Sequence, residues 1–111
     1  SATGLGVLRA AADNRKLAIG IGSDQDYLYP GTMLTSMLKR TDIAVYDAFR
    51  SGLTGTWKPG PRSLGLAEHA VDYALDDYND ALLTKPMRTL VEDARADIIA
   101  GKLKVPDRLS P

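Results

Sequence analysis

An acidic residue and a lysine follow two apolar segments of the chain, and both side chains suit the binding of a polar ligand. Asp24 comes just after the apolar residues 16–22, and Lys39 directly follows residues 32–38. A carboxylate can accept hydrogen bonds from two neighbouring sugar hydroxyls, and a lysine can donate to a hydroxyl or a phosphate. Ligands of open α/β sheets bind beyond the carboxyl ends of strands, so both residues are candidates.

Each candidate also has a purely structural interpretation. Asp24 could form an Asx turn or cap the segment that follows it, and its position alone does not separate the two roles. Lys39 could be an ordinary exposed lysine at the start of a helix. Gly4 and Gly6 are predicted to form a turn that enters a helix, where their backbone N–H groups would face a ligand; a plain tight turn is the alternative.

The remaining residues give little support for catalysis. The chain has no cysteine and a single histidine, His69, so a Cys/His zinc site is excluded and no Ser-His-Asp spacing can be assigned. Asp76, Asp77 and Asp80 lack the glycine and the terminal glutamate of a calcium-binding loop, and a solvated loop is predicted there. No nucleophile with a base is recognisable, so we predict a protein that is not an enzyme and uses no cofactor or metal.

The composition indicates one ordinary globular domain. The chain has 111 residues, of which 44% are hydrophobic and 25% charged, as in typical compact domains. Fourteen basic and fourteen acidic residues give a formal net charge of zero, which removes the electrostatic case for binding nucleic acid or an anionic membrane surface. No apolar run approaches the roughly 20 residues of a membrane span, and no signal peptide is visible.

Short β-rich runs alternate with helical patterns, which predicts an α/β fold with mostly parallel strand pairing. Strands are predicted at residues 16–22, 32–38, 63–67, 71–75 and 102–107. Helices are predicted near residues 5–14, at residues 41–52 with Thr41 as N-cap, and at residues 84–101 with Thr84 as N-cap. Residues 71–75 could also form a helix, but their alternation favours a strand. Trp57 lies in a turn-rich segment and is predicted to pack over the sheet; the alternative is a contact surface.

Five segments follow one another in an order that carries more information than the composition. They read "ATGLGVLRAA", "AIGIGSDQ", "GTMLTSMLKRTDIAVYDAF", "GLAEHAVDYALDDYN" and "IIAGKLKVP". Together they resemble the C-terminal part of the basic membrane protein family, the substrate-binding lipoproteins of ABC transporters that are similar to bacterial purine nucleoside receptors. The resemblance runs nearly end to end, and "GSDQ" and "VDYALDDYN" are among its most specific pieces.

The resemblance implies a partial type I periplasmic-binding-protein fold, which is Rossmann-like with a mostly parallel sheet and flanking helices. Residues 1–111 would be the C-terminal portion of a two-lobed protein, and residues 41–66 would belong with the N-terminal lobe. Such an incomplete fold should expose apolar surface and self-associate. The implied function is the non-catalytic, extracytoplasmic binding component of an ABC importer, with a nucleoside-like ligand and a permease partner. A regulatory or structural module with the same fold is the alternative.

The resemblance also implies a role for each candidate residue. Asp24 would hold the ribose hydroxyls, Lys39 would lie near the sugar, and the backbone from Gly4 to Gly6 would face the ligand. His69 and Asp72 replace glycines of the family pattern and are predicted to alter a turn or to lie on the surface.

Overall fold

The computed structural model describes residues 2–106. Within them the chain forms three α-helices, three β-strands and a short 3₁₀ helix. The helices are α1 (Ala2–Asp13), α2 (Thr41–Leu53) and α3 (Lys85–Ile99), and the strands are β1 (Ala18–Gly22), β2 (Met33–Lys39) and β3 (Val71–Tyr73). The 3₁₀ helix spans Asp26–Leu28, between β1 and β2. No helix among these residues is long and apolar enough to cross a bilayer.

The three strands form one small sheet in the order β1, β2, β3. The strands β1 and β2 are parallel, with Gly22 opposite Leu38, whereas β3 runs antiparallel to β2, with Val71 opposite Lys39. The carboxyl ends of β1 and β2 therefore lie at the same edge of the sheet. This mixed α/β arrangement with flanking helices confirms the predicted fold class, but the mostly parallel pairing predicted is found in only one of the two strand pairs of residues 2–106.

The buried centre of the molecule is small and partly polar. Its buried apolar residues are Leu8, Met33, Ala70, Ala74 and Leu83. Three polar side chains, those of Asp26, Ser36 and Asn79, have no exposed surface at all. Because a buried polar group is costly unless it is hydrogen-bonded, these three residues must satisfy one another or nearby backbone groups.

Two predicted strands are absent from the structure. Residues 63–67 form an extended loop and the start of a turn, and residues 102–106 form no strand, while Asp107 lies outside the described residues. Local bonds explain the first case: the Gly65 N–H donates to Glu68 Oε2 at 2.7 Å, and the Ala70 N–H donates to Gly65 O at 3.0 Å. The backbone of this segment closes on itself instead of pairing with the sheet.

The predicted helix starts need correction. Gly4 and Gly6 do not form a turn, since both lie inside α1, where the surrounding alanine and leucine residues favour continuous helix. Thr41 is the first residue of α2 and not its N-cap, and its hydroxyl donates back to Lys39 O at 3.3 Å. Thr84 does occupy the N-cap position of α3, although its side chain makes no capping hydrogen bond.

Helix α2 contributes no buried residue. Five large apolar side chains on it and in the following turn are at least half exposed: Val45, Tyr46, Phe49, Leu53 and Trp57. Phe49, Leu53 and Trp57 line an open apolar groove of about 410 Å³, so the prediction that Trp57 packs over the sheet is wrong. The radius of gyration is 16.7 Å, against roughly 13 Å expected for a compact domain of this length.

Candidate functional site

Asp24 lies just beyond β1, at the sheet edge where β1 and β2 both end. Its side chain is exposed, and its Oδ1 accepts a hydrogen bond from the backbone N–H of Asp26 at 3.0 Å. This is the geometry of an Asx turn, which the sequence left open as an alternative to ligand binding. The turn occupies one carboxylate oxygen, and Oδ2 accepts no hydrogen bond from residues 2–106. The two roles are therefore compatible.

Lys39 is the last residue of β2 and is exposed. Because Gly22 of β1 lies opposite Leu38 of β2, Lys39 and Asp24 both lie at the carboxyl edge of these parallel strands. An acid and a base at this edge can bind neighbouring polar groups of one small molecule. The structure thus places both candidates where ligands of α/β sheets bind.

The two candidate glycines have different surroundings. Gly4 lines a cleft of about 270 Å³ between α1 and β1, together with Ile21 of β1 and with Gln25, which directly follows Asp24. Gly6 does not line this cleft, and a Cβ added to it would meet no atom within 4 Å. The structure therefore brings Gly4 towards the sheet edge that carries Asp24, whereas Gly6 lies apart from it.

A buried polar network below Asp24 was not predicted from the sequence. The carboxylate of Asp26 accepts one hydrogen bond on each oxygen, from the Ser36 hydroxyl at 2.6 Å and from Asn79 Nδ2 at 2.9 Å. Ser36 Oγ also accepts the backbone N–H of Gln25 at 3.0 Å. The network joins the segment after β1, the middle of β2 and the turn after β3.

The sequence offered only a weak signal for this network. Asp26 and Asn79 occur in polar stretches, "SDQDY" and "DDYND", which usually indicate solvated loops. The prediction of a solvated loop at residues 76–80 is wrong for Asn79, which is fully buried, and for Asp76, which is half-buried. One carboxylate oxygen from each of Asp24, Asp26 and Asp76 lies within 4.8 Å of the other two.

Burial changes the ionisation of Asp26. Loss of hydration raises the pKa of its carboxyl above the ordinary 3.8; the Ser36 hydrogen bond opposes this, and the negative charges of Asp24 and Asp76 add to it. Because the pKa of Asp26 is higher in the folded than in the unfolded protein, its contribution to the free energy of unfolding is largest at pH values below the ordinary 3.8. This contribution is lost as the pH rises through the folded-state pKa of Asp26.

A second polar cluster ties β3 to α3. Arg95 of α3 forms an ion pair with Asp72 and lies 5.4 Å from the centre of the Tyr73 ring, while the Tyr73 hydroxyl donates to Glu92 at 2.8 Å. Burial alone would raise the pKa of Asp72, but hydrogen bonds from Arg95 and from the Tyr73 N–H, together with the guanidinium charge, lower it. Through this ion pair Asp72 links β3 to α3, so it has a structural role and is not only a surface residue.

His69 is exposed and has a positive φ of 57°. This left-handed conformation favours glycine, and residues with a side chain adopt it rarely. Two roles were predicted for His69, altering a turn or lying on the surface, and the structure shows an exposed residue within a turn.

Comparisons with known proteins show where this fold occurs. No protein-family model matches the chain. An uncharacterized lipoprotein of Pyrococcus abyssi is 42% identical over 59 residues, which are 53% of this chain and 15% of that protein. The CD4+ T-cell-stimulating antigen of Listeria monocytogenes is 31% identical over 105 residues, or 94% of this chain and 27% of that protein. The chain thus spans well under a third of these relatives.

A solved structure confirms the fold more directly. A solute-binding protein of an ABC transporter system from Aeropyrum pernix superposes with a TM-score of 0.69 at 22% identity, over 96% of this chain and 37% of that chain. The chain has the fold of part of an ABC transporter solute-binding protein.

Proposed function

We propose that the chain is part of the solute-binding component of an ABC importer and binds a nucleoside or a related small polar ligand without catalysis. The observation that carries this proposal is the placement of Asp24 and Lys39 at the shared carboxyl edge of β1 and β2, in a fold like that of an ABC solute-binding protein. The lipoprotein names of the relatives support an extracytoplasmic, membrane-anchored location, and the likeness to a solute-binding protein of an ABC transporter system supports a permease as partner.

The site residues would recognise the ligand through hydrogen bonds. The exposed carboxylate of Asp24 would accept hydrogen bonds from vicinal hydroxyls of a sugar, and the ammonium group of Lys39 would donate to the same sugar. The cleft beside Gly4 would bring the backbone of α1 close to the ligand. One side of a cleft binds weakly, because burial from two sides and closure supply most of the affinity.

The uncovered face of α2 fits a second lobe. Residues 41–66 would pack against the N-terminal lobe of a two-lobed protein, since no residue of α2 is fully buried against the rest of residues 2–106. The accessible surface of 8631 Å² exceeds the value expected for a folded monomer of this size by roughly 2,600 Å². The exposed apolar face of α2 contributes to this surplus, and a permanent interface would cover such a face.

Calorimetry with nucleosides tests the proposed function. On the complete protein that contains this chain, we expect Asp24→Ala to weaken nucleoside binding by at least about tenfold, because a charge-assisted hydrogen bond to the sugar is lost. The matched control is Asp77→Ala, which removes an exposed acid outside the site and should leave the affinity unchanged. If no nucleoside binds, the ligand assignment is wrong, and a module without transport function becomes the better interpretation.

The isolated 111-residue chain is expected to self-associate through the exposed face of α2. Light scattering should show a mass that rises with concentration, and the pair Phe49→Ser and Leu53→Ser should shift the chain towards monomer. Val105→Ser is the control, because this valine is 66% exposed but does not line the apolar groove beside Phe49 and Leu53. A monodisperse monomer at every concentration would contradict this proposal.

A further inference from the structure

We propose that Asp26 is a positioning residue: its buried side chain anchors the segment that holds the Asp24 carboxylate at the carboxyl edge of the sheet. The role of Asp24 in binding rests on the proposed function above. The anchoring of its segment rests on the contacts of Asp26 and can be tested without a ligand.

The backbone and the side chain of Asp26 do two different things. Its N–H donates to Asp24 Oδ1 at 3.0 Å and so orients the exposed carboxylate. Its side chain points into the molecule, is fully buried, and accepts the Ser36 hydroxyl at 2.6 Å and Asn79 Nδ2 at 2.9 Å. The residue that orients Asp24 is thereby attached to β2 and to the turn after β3.

The neighbouring residue strengthens this attachment. The Gln25 N–H donates to Ser36 Oγ at 3.0 Å, and Gln25 Oε1 accepts the Ile21 N–H at 3.2 Å. Two consecutive residues after Asp24 are therefore bonded to Ser36, one by backbone and one by side chain. These hydrogen bonds restrict the conformations of the segment after β1 and therefore fix the position of the Asp24 carboxylate.

A local turn alone would not need a buried acid. The 3₁₀ helix closes through the Leu28 N–H and Gln25 O at 3.0 Å, and the Asx turn uses only the backbone of Asp26. An ionisable group without any exposed surface is rare, because its burial costs hydration. The buried carboxylate therefore serves a purpose beyond the turn, and the contacts show that it fixes the turn to the sheet.

A double-mutant cycle on the complete protein tests whether Asp26 acts through Asp24. Adenosine and guanosine are the probes, and the variants are Asp24→Asn, Asp26→Asn and both together. We expect each single substitution to weaken binding at least about tenfold, and the double variant to bind within about twofold of Asp24→Asn. Asp77→Asn, which removes the same charge from an exposed neighbouring loop position, should bind like the wild type. Fully additive losses would overturn the proposal, because Asp26 would then act independently of Asp24.

Amide hydrogen exchange without ligand provides the second readout. Asp26→Asn should speed exchange at positions 25 and 26 by about tenfold or more, while the Ala74 amide, which donates to Ser36 O across the sheet, keeps its wild-type rate. Ser36→Ala removes one hydrogen bond to the Asp26 side chain and should give a smaller increase at position 26, even if Asp26→Asn proves too unstable to study. Position 25 is not compared in this variant, because the Gln25 amide loses its own acceptor there.

The two readouts separate the possible failures. If wild-type protein binds neither nucleoside, the proposed function fails, and the exchange rates alone decide the role of Asp26. Faster exchange confined to positions 25 and 26 supports the anchoring role. Unchanged rates there, or a uniform increase across the sheet, overturn it, since the side chain would then be dispensable or only a general stabiliser.

Discussion

Replacing Asn79 by alanine is expected to lower the free energy of unfolding by about 3 kcal/mol. The Asn79 amide donates to Asp26 Oδ2 at 2.9 Å, Ala74 O at 3.0 Å and Leu34 O at 3.2 Å, and its oxygen accepts the Asp76 N–H at 3.0 Å. Alanine would remove the donor that the buried carboxylate of Asp26 has on Oδ2, whereas Ala74 O would keep its hydrogen bond from the Thr35 hydroxyl. In a domain of this size the loss is a large part of the total stability.

Urea denaturation followed by circular dichroism measures this loss. Asn14→Ala is the control, because Asn14 is exposed and makes one side-chain bond, to Ala10 O at 2.8 Å. Its substitution should change the free energy of unfolding by no more than about 0.5 kcal/mol. Equal effects of the two alanine substitutions would mean that the buried network contributes nothing to stability.

Replacing Gly20 by alanine is expected to cost about 2 kcal/mol, because the added methyl group has no space. A Cβ at Gly20 would lie 2.5 Å from Ser36 Oγ and 3.0 Å from Gln25 Oε1. Ser36 is the residue opposite Gly20 in the parallel pair, and its hydroxyl is held by Asp26 at 2.6 Å. The collision can be relieved only by disturbing the network or separating the strands.

Gly6→Ala is the matched control for this substitution. Gly6 lies inside α1, and a Cβ there would meet no atom within 4 Å. Alanine should therefore raise the free energy of unfolding by about 0.5–1 kcal/mol, since glycine is unfavourable within a helix. In urea denaturation, we expect Gly20→Ala to lower the free energy of unfolding and Gly6→Ala to raise it. A loss of stability at both positions would show that crowding at Gly20 is not the cause.

Local patterns were sufficient to predict much of the fold. The apolar runs before Asp24 and Lys39 predicted β1 and β2 within two residues of their ends, and the apolar stripe that ends before Gly101 predicted α3. The position of Asp24 just beyond β1 was also predicted correctly, because the end of a strand is determined by residues that are close to it in the sequence. These features arise from interactions between residues that are close along the chain.

The buried polar network and the loop at residues 63–67 could not be predicted, because they depend on contacts that no local sequence pattern indicates. The burial of Asp26 requires Asn79, which is 53 residues further along the chain. In the sequence, both residues look like parts of solvated loops. Residues 63–67 have the composition of a strand, but the bond between the Gly65 N–H and Glu68 closes a turn instead. The role of Asp24 in binding, by contrast, stays a prediction.

The long separation between Asp26 and Asn79 also has a consequence for folding kinetics. The strands β1 and β2 can pair as soon as residues 18–39 are available, since their contacts are close along the chain. The buried carboxylate gains its second hydrogen-bond donor only after the chain has closed a loop of 53 residues. Contacts of high sequence separation form late, because the entropy of loop closure must be overcome first. During synthesis, we therefore expect the hydrogen bond from Asn79 to Asp26 to form after β1 has paired with β2.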